Sequence, residues 1–397
     1  MKTLVVVAAG AADRPLEDLG GRTPLEAAAT PALDRIASEG RLGRLAPAPP
    51  GLRPEAGAFA LALFGLDPLT YAEAGAVLDA AAFEAPVGSL DQAFRLALVT
   101  ADETTIFDPT AGQVSRDESV LLLAALTESL ADPDLAFVPG DGWRNLLVWR
   151  GARDVRVKTV PPFEVVGKSL KSALPKGTGI GRLLAVIERS AEILAGHEVN
   201  ELRRDLGENP ASLVWPWGAG VTVPLPDFTS RVGVDAAVVA VQPTVKGAAR
   251  LQRIECIEPE GATGRADSNL RGKVRAALGA LETKDLVYLH VDGLAACSHA
   301  RDFVAKVEAL ERFDGYVLGP ALEALGAGGH ARLVVIAGEG VSAETGRHLP
   351  DPVPFAIHGP GVRNHRKGGF TEVAARDAGF EVDRAHDLLE FLLHLGE

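Results

Sequence analysis

The chain has 397 residues, 47% of them apolar and 23% charged, with a formal net charge of −13. This is the balance of a soluble globular protein too long for one ordinary core, and its acidity argues against a nucleic-acid partner while leaving room for a small anion held by local cations. Cys256 and Cys297 are its two cysteines, too few for a disulfide framework or a four-cysteine zinc site, so a reducing cytoplasm fits best.

The chain opens MKTLVVVAAGAAD. One lysine, a short apolar run and small residues are features of a signal peptide, but residues 4–7 make a good buried strand and 10–15 the turn after it. A helix is expected over 31–39, with Thr30 as N-cap, Pro31 at the first helical position and Gly40 closing it. From 83 to 176 the texture changes to short alternating runs (94–99, 146–149, 155–160) and an apolar helix at 119–130, which reads as an inserted α+β domain. Residues 177–181, Gly-rich but without a Walker lysine, read as the linker back, so that 1–82 and 177–397 form the main domain. Trp215 and Trp217, flanking Pro216, are expected to pack a sheet edge.

Strands follow at 236–241, 286–291, 332–337 and 353–358, with apolar periodic helices between them, such as 302–325. Strands alternating with helices imply a mainly parallel sheet covered on both faces, with ligand-binding residues in the loops beyond the C-terminal strand ends. No apolar run approaches the roughly 18 residues of a membrane span.

Several segments together carry a specific likeness: Ala12-Asp13-Arg14-Pro15, GGRTPLEAAATPALDRIASEG at 20–40, Gly51-Leu52-Arg53-Pro54, His197-Glu198-Val199-Asn200, VWPWGAG at 214–220, GATGRADSN at 261–269, His290-Val291-Asp292-Gly293, His299, and RHLPDPVPF at 347–355. In this order they resemble the archaeal-type, cofactor-independent phosphoglycerate mutases of the alkaline phosphatase superfamily. The resemblance implies an alkaline-phosphatase-like α/β core and a two-metal phosphoryl transfer. A serine would take the phosphate of phosphoglycerate and return it to the other hydroxyl, with two manganese or similar ions neutralising the phosphoryl oxygens.

Position by position, the resemblance also implies loss. The family's first strand ends in Gly-Asp-Gly, with a metal-binding aspartate; here it reads Ala8-Ala9-Gly10. The nucleophile motif Gly-Ser-Asp is replaced by Glu55-Ala56-Gly57, and alanine offers no nucleophile. The aspartate four residues before His299 is Ala295, and the metal-binding Asp-His pair is Gly338-Glu339. His299 and His348 remain and, with Glu339 as an altered ligand, are the candidate residual metal set; two imidazoles and a carboxylate can hold one Zn or Fe. No cofactor beyond that one ion is expected.

Lys246 matches a lysine the family uses near the phosphate, or else caps a strand end; Arg53 precedes the nucleophile slot and either binds an anion or is ordinary surface. Three readings stay open: a catalytically degenerate relative binding a small phosphorylated or anionic metabolite, a protein partner or a second copy; an active mutase or other phosphoryl-transfer enzyme with a rebuilt site; and an unrelated one-metal activity using His299, Glu339 and His348.

Overall fold

Leu4, Val5, Val6 and Val7 are each no more than 2% exposed, because the strand they form, Lys2–Ala8, lies inside a sheet with both faces covered. Such a strand is apolar throughout instead of alternating. A computed structural model of the chain describes residues 1–326, 331–364 and 368–395. The chain divides into two compact units, Met1–Ala72 with Leu225–Glu397, and Glu73–Pro224.

The first unit is an α/β core built on an eight-stranded sheet. In spatial order its strands are Glu255–Ile257, Ala236–Val239, Leu286–Val291, Lys2–Ala8, Ala331–Ile336, Val353–His358, Arg41–Leu45 and Glu381–Val382. The first five run parallel, with Val5 opposite Tyr288 on one side and Val334 on the other. Val353–His358 is antiparallel to both its neighbours, so the sheet is mainly, not wholly, parallel. The loops after Ala8, Val291 and Ile336 therefore leave the same edge, where ligands are bound in sheets of this kind.

The helix expected over 31–39 is observed as Pro31–Glu39, but its cap differs from the expectation. The Thr30 side chain makes no capping bond. Asp314 supplies the cap from a distant element, its carboxylate accepting from Ala32 N (3.1 Å) and Leu33 N (2.7 Å). Asp314 reaches them from a π-helical turn, Asp314–Leu318, which joins the helices Phe303–Phe313 and Gly319–Gly326 where one continuous helix was expected.

The second unit is wider than the expected 83–176. The strand Leu213–Val221 pairs antiparallel with Gln92–Ala101 (Leu96 opposite Pro216, Val99 opposite Leu213) and draws the helices Gly181–Ala195 and Glu198–Asp205 in with it. The expected linker is part of this unit: Val157–Lys158 pairs with Lys176–Gly177, and Gly181 opens a helix. Trp215 is fully buried and donates Nε1 to Val160 O (2.7 Å), which makes it a core residue. The helix Arg116–Leu130 starts in a capping box between Ser115 and Glu118 and packs Leu122, Leu123 and Leu126 against Phe94, Leu96 and Leu147 of the sheet. Among the described residues, no helix is long and apolar enough to cross a membrane.

Asp314→Ala leaves two N–H groups of the Pro31–Glu39 helix, one buried and one partly buried, without their acceptor. Urea unfolding is expected to show a loss of about 1–2 kcal/mol.

Candidate functional site

The loops at the common strand edge bring the sequence-predicted positions together. Gly338 has φ +68°, and a methyl group placed on it would lie 2.6 Å from the Ala9 Cα. One placed on Gly10 would lie 2.5 Å from the Ala295 Cα. Ala56 is the first residue of the helix Ala56–Leu63 and lines a small cavity with Val7, Phe59 and His290. Ala9, Ala56, Ala295 and Gly338, far apart in sequence, thus collect at one end of the sheet.

The two histidines also meet. The His299 and His348 rings are 5.2 Å apart, edge to face, and His299 Nδ1 lies 2.9 Å from Gly346 O. His299 is exposed. The Nδ1 of His348 is enclosed without a hydrogen-bond partner, and burial, followed by the charges of His299 and Arg53, pushes this imidazole down to about 3. It is neutral at pH 7.

Glu339 does not join them; it belongs to a second cluster under the strand ends. His290 Nδ1 lies 3.0 Å from Asp292 Oδ1, and Lys273 Nζ donates to His290 O (2.8 Å) while standing 3.7 Å from Asp292 Oδ2. Burial pulls the His290 imidazole down, but Asp292, with Glu339 behind it, more than reverses this and raises it above its ordinary value. Glu339, 2% exposed, is pushed up to about 7 by burial, against the opposing pull of His290. An imidazole, an amine and two carboxyl groups thus share this interior, where burial lowers Lys273 and raises Glu339 while Asp292 raises His290.

A third set fixes the loop after the first strand. Lys306 Nζ, with its side chain fully buried, donates to Asp13 Oδ2 and Val341 O, each at 2.8 Å. Asp13 also accepts from Arg14 N (2.8 Å) and Ala343 N (2.9 Å), and its own N–H donates to Glu372 Oε1 (3.0 Å). Desolvation lowers the Lys306 ammonium and raises the Glu372 carboxyl.

Two divalent ions do not fit this donor set. Ala9, Ala56, Ala295 and Gly338 supply no ligand atom, and among the described residues no three His, Cys, Asp or Glu side chains stand close enough to share an ion. Among the described residues, His299, His348 and Glu339 do not form a group that could hold an ion. Lys246 sits buried in the helix Pro243–Leu251 with Nζ 2.5 Å from Glu258 Oε1, while Arg53 is exposed and contributes to the field at His348.

Lys273 and Lys306 escaped sequence reading, although a signal was there. Each occupies an apolar stripe at helical spacing, Lys273 with Leu270, Val274, Ala277 and Leu281, and Lys306 with Ala309, Leu310 and Phe313. A lysine on such a stripe needs a buried partner.

The likeness to known proteins spans the whole chain. The family profile of 2,3-bisphosphoglycerate-independent phosphoglycerate mutase matches residues 37–200. A protein of that name from Methanothrix thermoacetophila is 36% identical over 394 residues, covering 99% of this chain and 100% of its own. This chain belongs to that family. A probable member from Geobacter sulfurreducens is 34% identical, over 99% of this chain and all of its own. Among solved structures, a Pyrococcus horikoshii protein superposes with a TM-score of 0.79 at 28% identity, covering 100% of this chain and 97% of its own. The cofactor-independent phosphoglycerate mutase of Thermoplasma acidophilum gives 0.60 at 25% identity, covering both chains fully. The fold and family expected from the motifs are thus the ones observed.

Two outcomes are expected of this geometry. Lys306→Met strands the Asp13 carboxylate in the interior and is expected to cost about 3–5 kcal/mol in chemical denaturation. Glu339 gives a pH dependence of definite sign. Its carboxyl titrates near 4.5 when unfolded and near 7 when folded, so the fold favours the protonated form. The stability this supplies is whole below about pH 4.5 and is lost as the pH rises through 7, a change of about 3 kcal/mol. His290, raised in the fold, acts in the same direction. Glu339→Gln should flatten the dependence of stability on pH across that window.

Proposed function

We propose that this chain is a non-catalytic relative of phosphoglycerate mutase that cannot form the phosphoserine intermediate and instead binds a small phosphorylated or otherwise anionic metabolite. The observation that carries this reading is Ala56. It stands at the head of a helix beside the other ligand-less positions, Ala9, Ala295 and Gly338, where the family resemblance calls for a serine and metal-binding carboxylates. Without a hydroxyl there is no oxygen to attack phosphorus, and without donors there is no ion to neutralise the transferring group. Arg53 and the two histidines offer an anion charge and N–H groups at the same end of the sheet. We place the protein in the cytoplasm, where its two free cysteines would stay reduced.

The rival reading is a mutase or other phosphoryl-transfer enzyme with a rebuilt site. It draws on Glu339, a buried carboxyl titrating close to neutrality and suited to proton transfer.

Conversion of 3- to 2-phosphoglycerate, assayed with added Mn²⁺, separates the two. We expect no turnover above buffer, together with stabilisation by 3-phosphoglycerate of about 2.7 kcal/mol at a hundredfold excess over its dissociation constant, weakened in Arg53→Ala. Turnover that disappears in Glu339→Gln would establish the rival.

A further inference from the structure

Loss of donor atoms can leave a pocket open, or the polypeptide can close over it. The loops after the three central strands touch main chain to main chain. Ala9 N donates to Val291 O (2.9 Å), Gly10 N to Glu339 O (3.0 Å) and Ala11 N to Ala337 O (3.2 Å). Ala9 is 2% exposed, and the positions next to it have no free volume. A Cβ on Gly338 would meet the Ala9 Cα at 2.6 Å and the Ala8 carbonyl oxygen at 2.8 Å, and a Cβ on Gly10 would meet the Ala295 main chain at 2.5 Å. A metal-binding aspartate must project its carboxylate beyond Cβ and then hold the ion about 2 Å further on. These loops leave no room for even its first side-chain atom at Gly338.

We infer that the metal pocket of the family is closed in this chain by direct contact of the loops bearing Ala9, Ala295 and Gly338, so that putting donors back does not bring metal back. The inference concerns space and goes beyond the loss of catalysis, since a chain without a nucleophile could still keep an open ion site.

Two measurements test it. Gly338→Ala and Gly379→Ala both place alanine at φ +68°, but nothing lies within 4 Å of the added carbon at Gly379. They share a left-handed φ and differ in whether the added carbon meets neighbouring main chain. Gly338→Ala is expected to melt at least about 3 °C below Gly379→Ala; equal melting temperatures overturn the closure. In parallel, wild-type protein and the variant A9D/A295D/E339H are dialysed against Mn²⁺ and analysed for bound metal. Neither is expected to retain a stoichiometric ion, and one equivalent in either overturns the inference. If the triple variant does not fold, the glycine pair and the wild type still decide. Mutase turnover by the wild type would sink the proposed function and leave the glycine comparison standing.

Discussion

The interaction on which the site's architecture depends is the ion pair between Lys306 and Asp13, both side chains fully buried. A pair so deep contributes little net stability, because desolvating both charges offsets most of their attraction. Its effect is on geometry. Through the carboxylate and the ammonium, the loop after the first strand is tied to Val341 and Ala343 on the loop after Ala331–Ile336, and through Asp13 N to Glu372 on a third element. Each of these groups would be an uncompensated charge or an orphaned donor if one loop moved. The strand ends are therefore held in register by contacts that do not involve Ala9, Ala56 or Gly338.

The same logic governs the His290 cluster. A divalent ion lets several carboxylates share a buried volume, and so do cationic side chains placed beside them. Here Lys273 and a raised His290 face Asp292 and Glu339. Ala9, Ala295 and Gly338 add no charge to this interior.

Much of the fold was legible in the sequence because it is local. The apolar runs at 286–291 and 353–358 became strands with those bounds, and Pro31 and Gly40 bracketed their helix correctly. The family likeness was legible because its motifs fall in order along the chain. What escaped depends on pairing between distant segments. The second unit is wider than its texture suggested because Leu213–Val221 pairs with a strand more than a hundred residues earlier, and no periodicity encodes that register. Asp314 caps a helix from nearly three hundred residues away, while the nearby Thr30 was the obvious choice from sequence. Glu339 was grouped with the histidines because it follows the right strand. It follows a left-handed turn at Gly338 and ends buried, neither of which a motif reports.

The π-helical turn at Asp314–Leu318 has a consequence for how this chain can vary. A π turn is in effect one residue added to an α-helix, and each residue of an α-helix advances the chain by about 100°. Because the wide turn absorbs that residue, the helices before and after it keep the phase of an unbroken helix, and Ala321 and Leu322 stay buried. Removing one residue within the turn would restore a regular ladder and leave the downstream faces where they are. A one-residue deletion there should therefore be tolerated far better than one inside Phe303–Phe313 or Gly319–Gly326, where no wide turn absorbs the rotation.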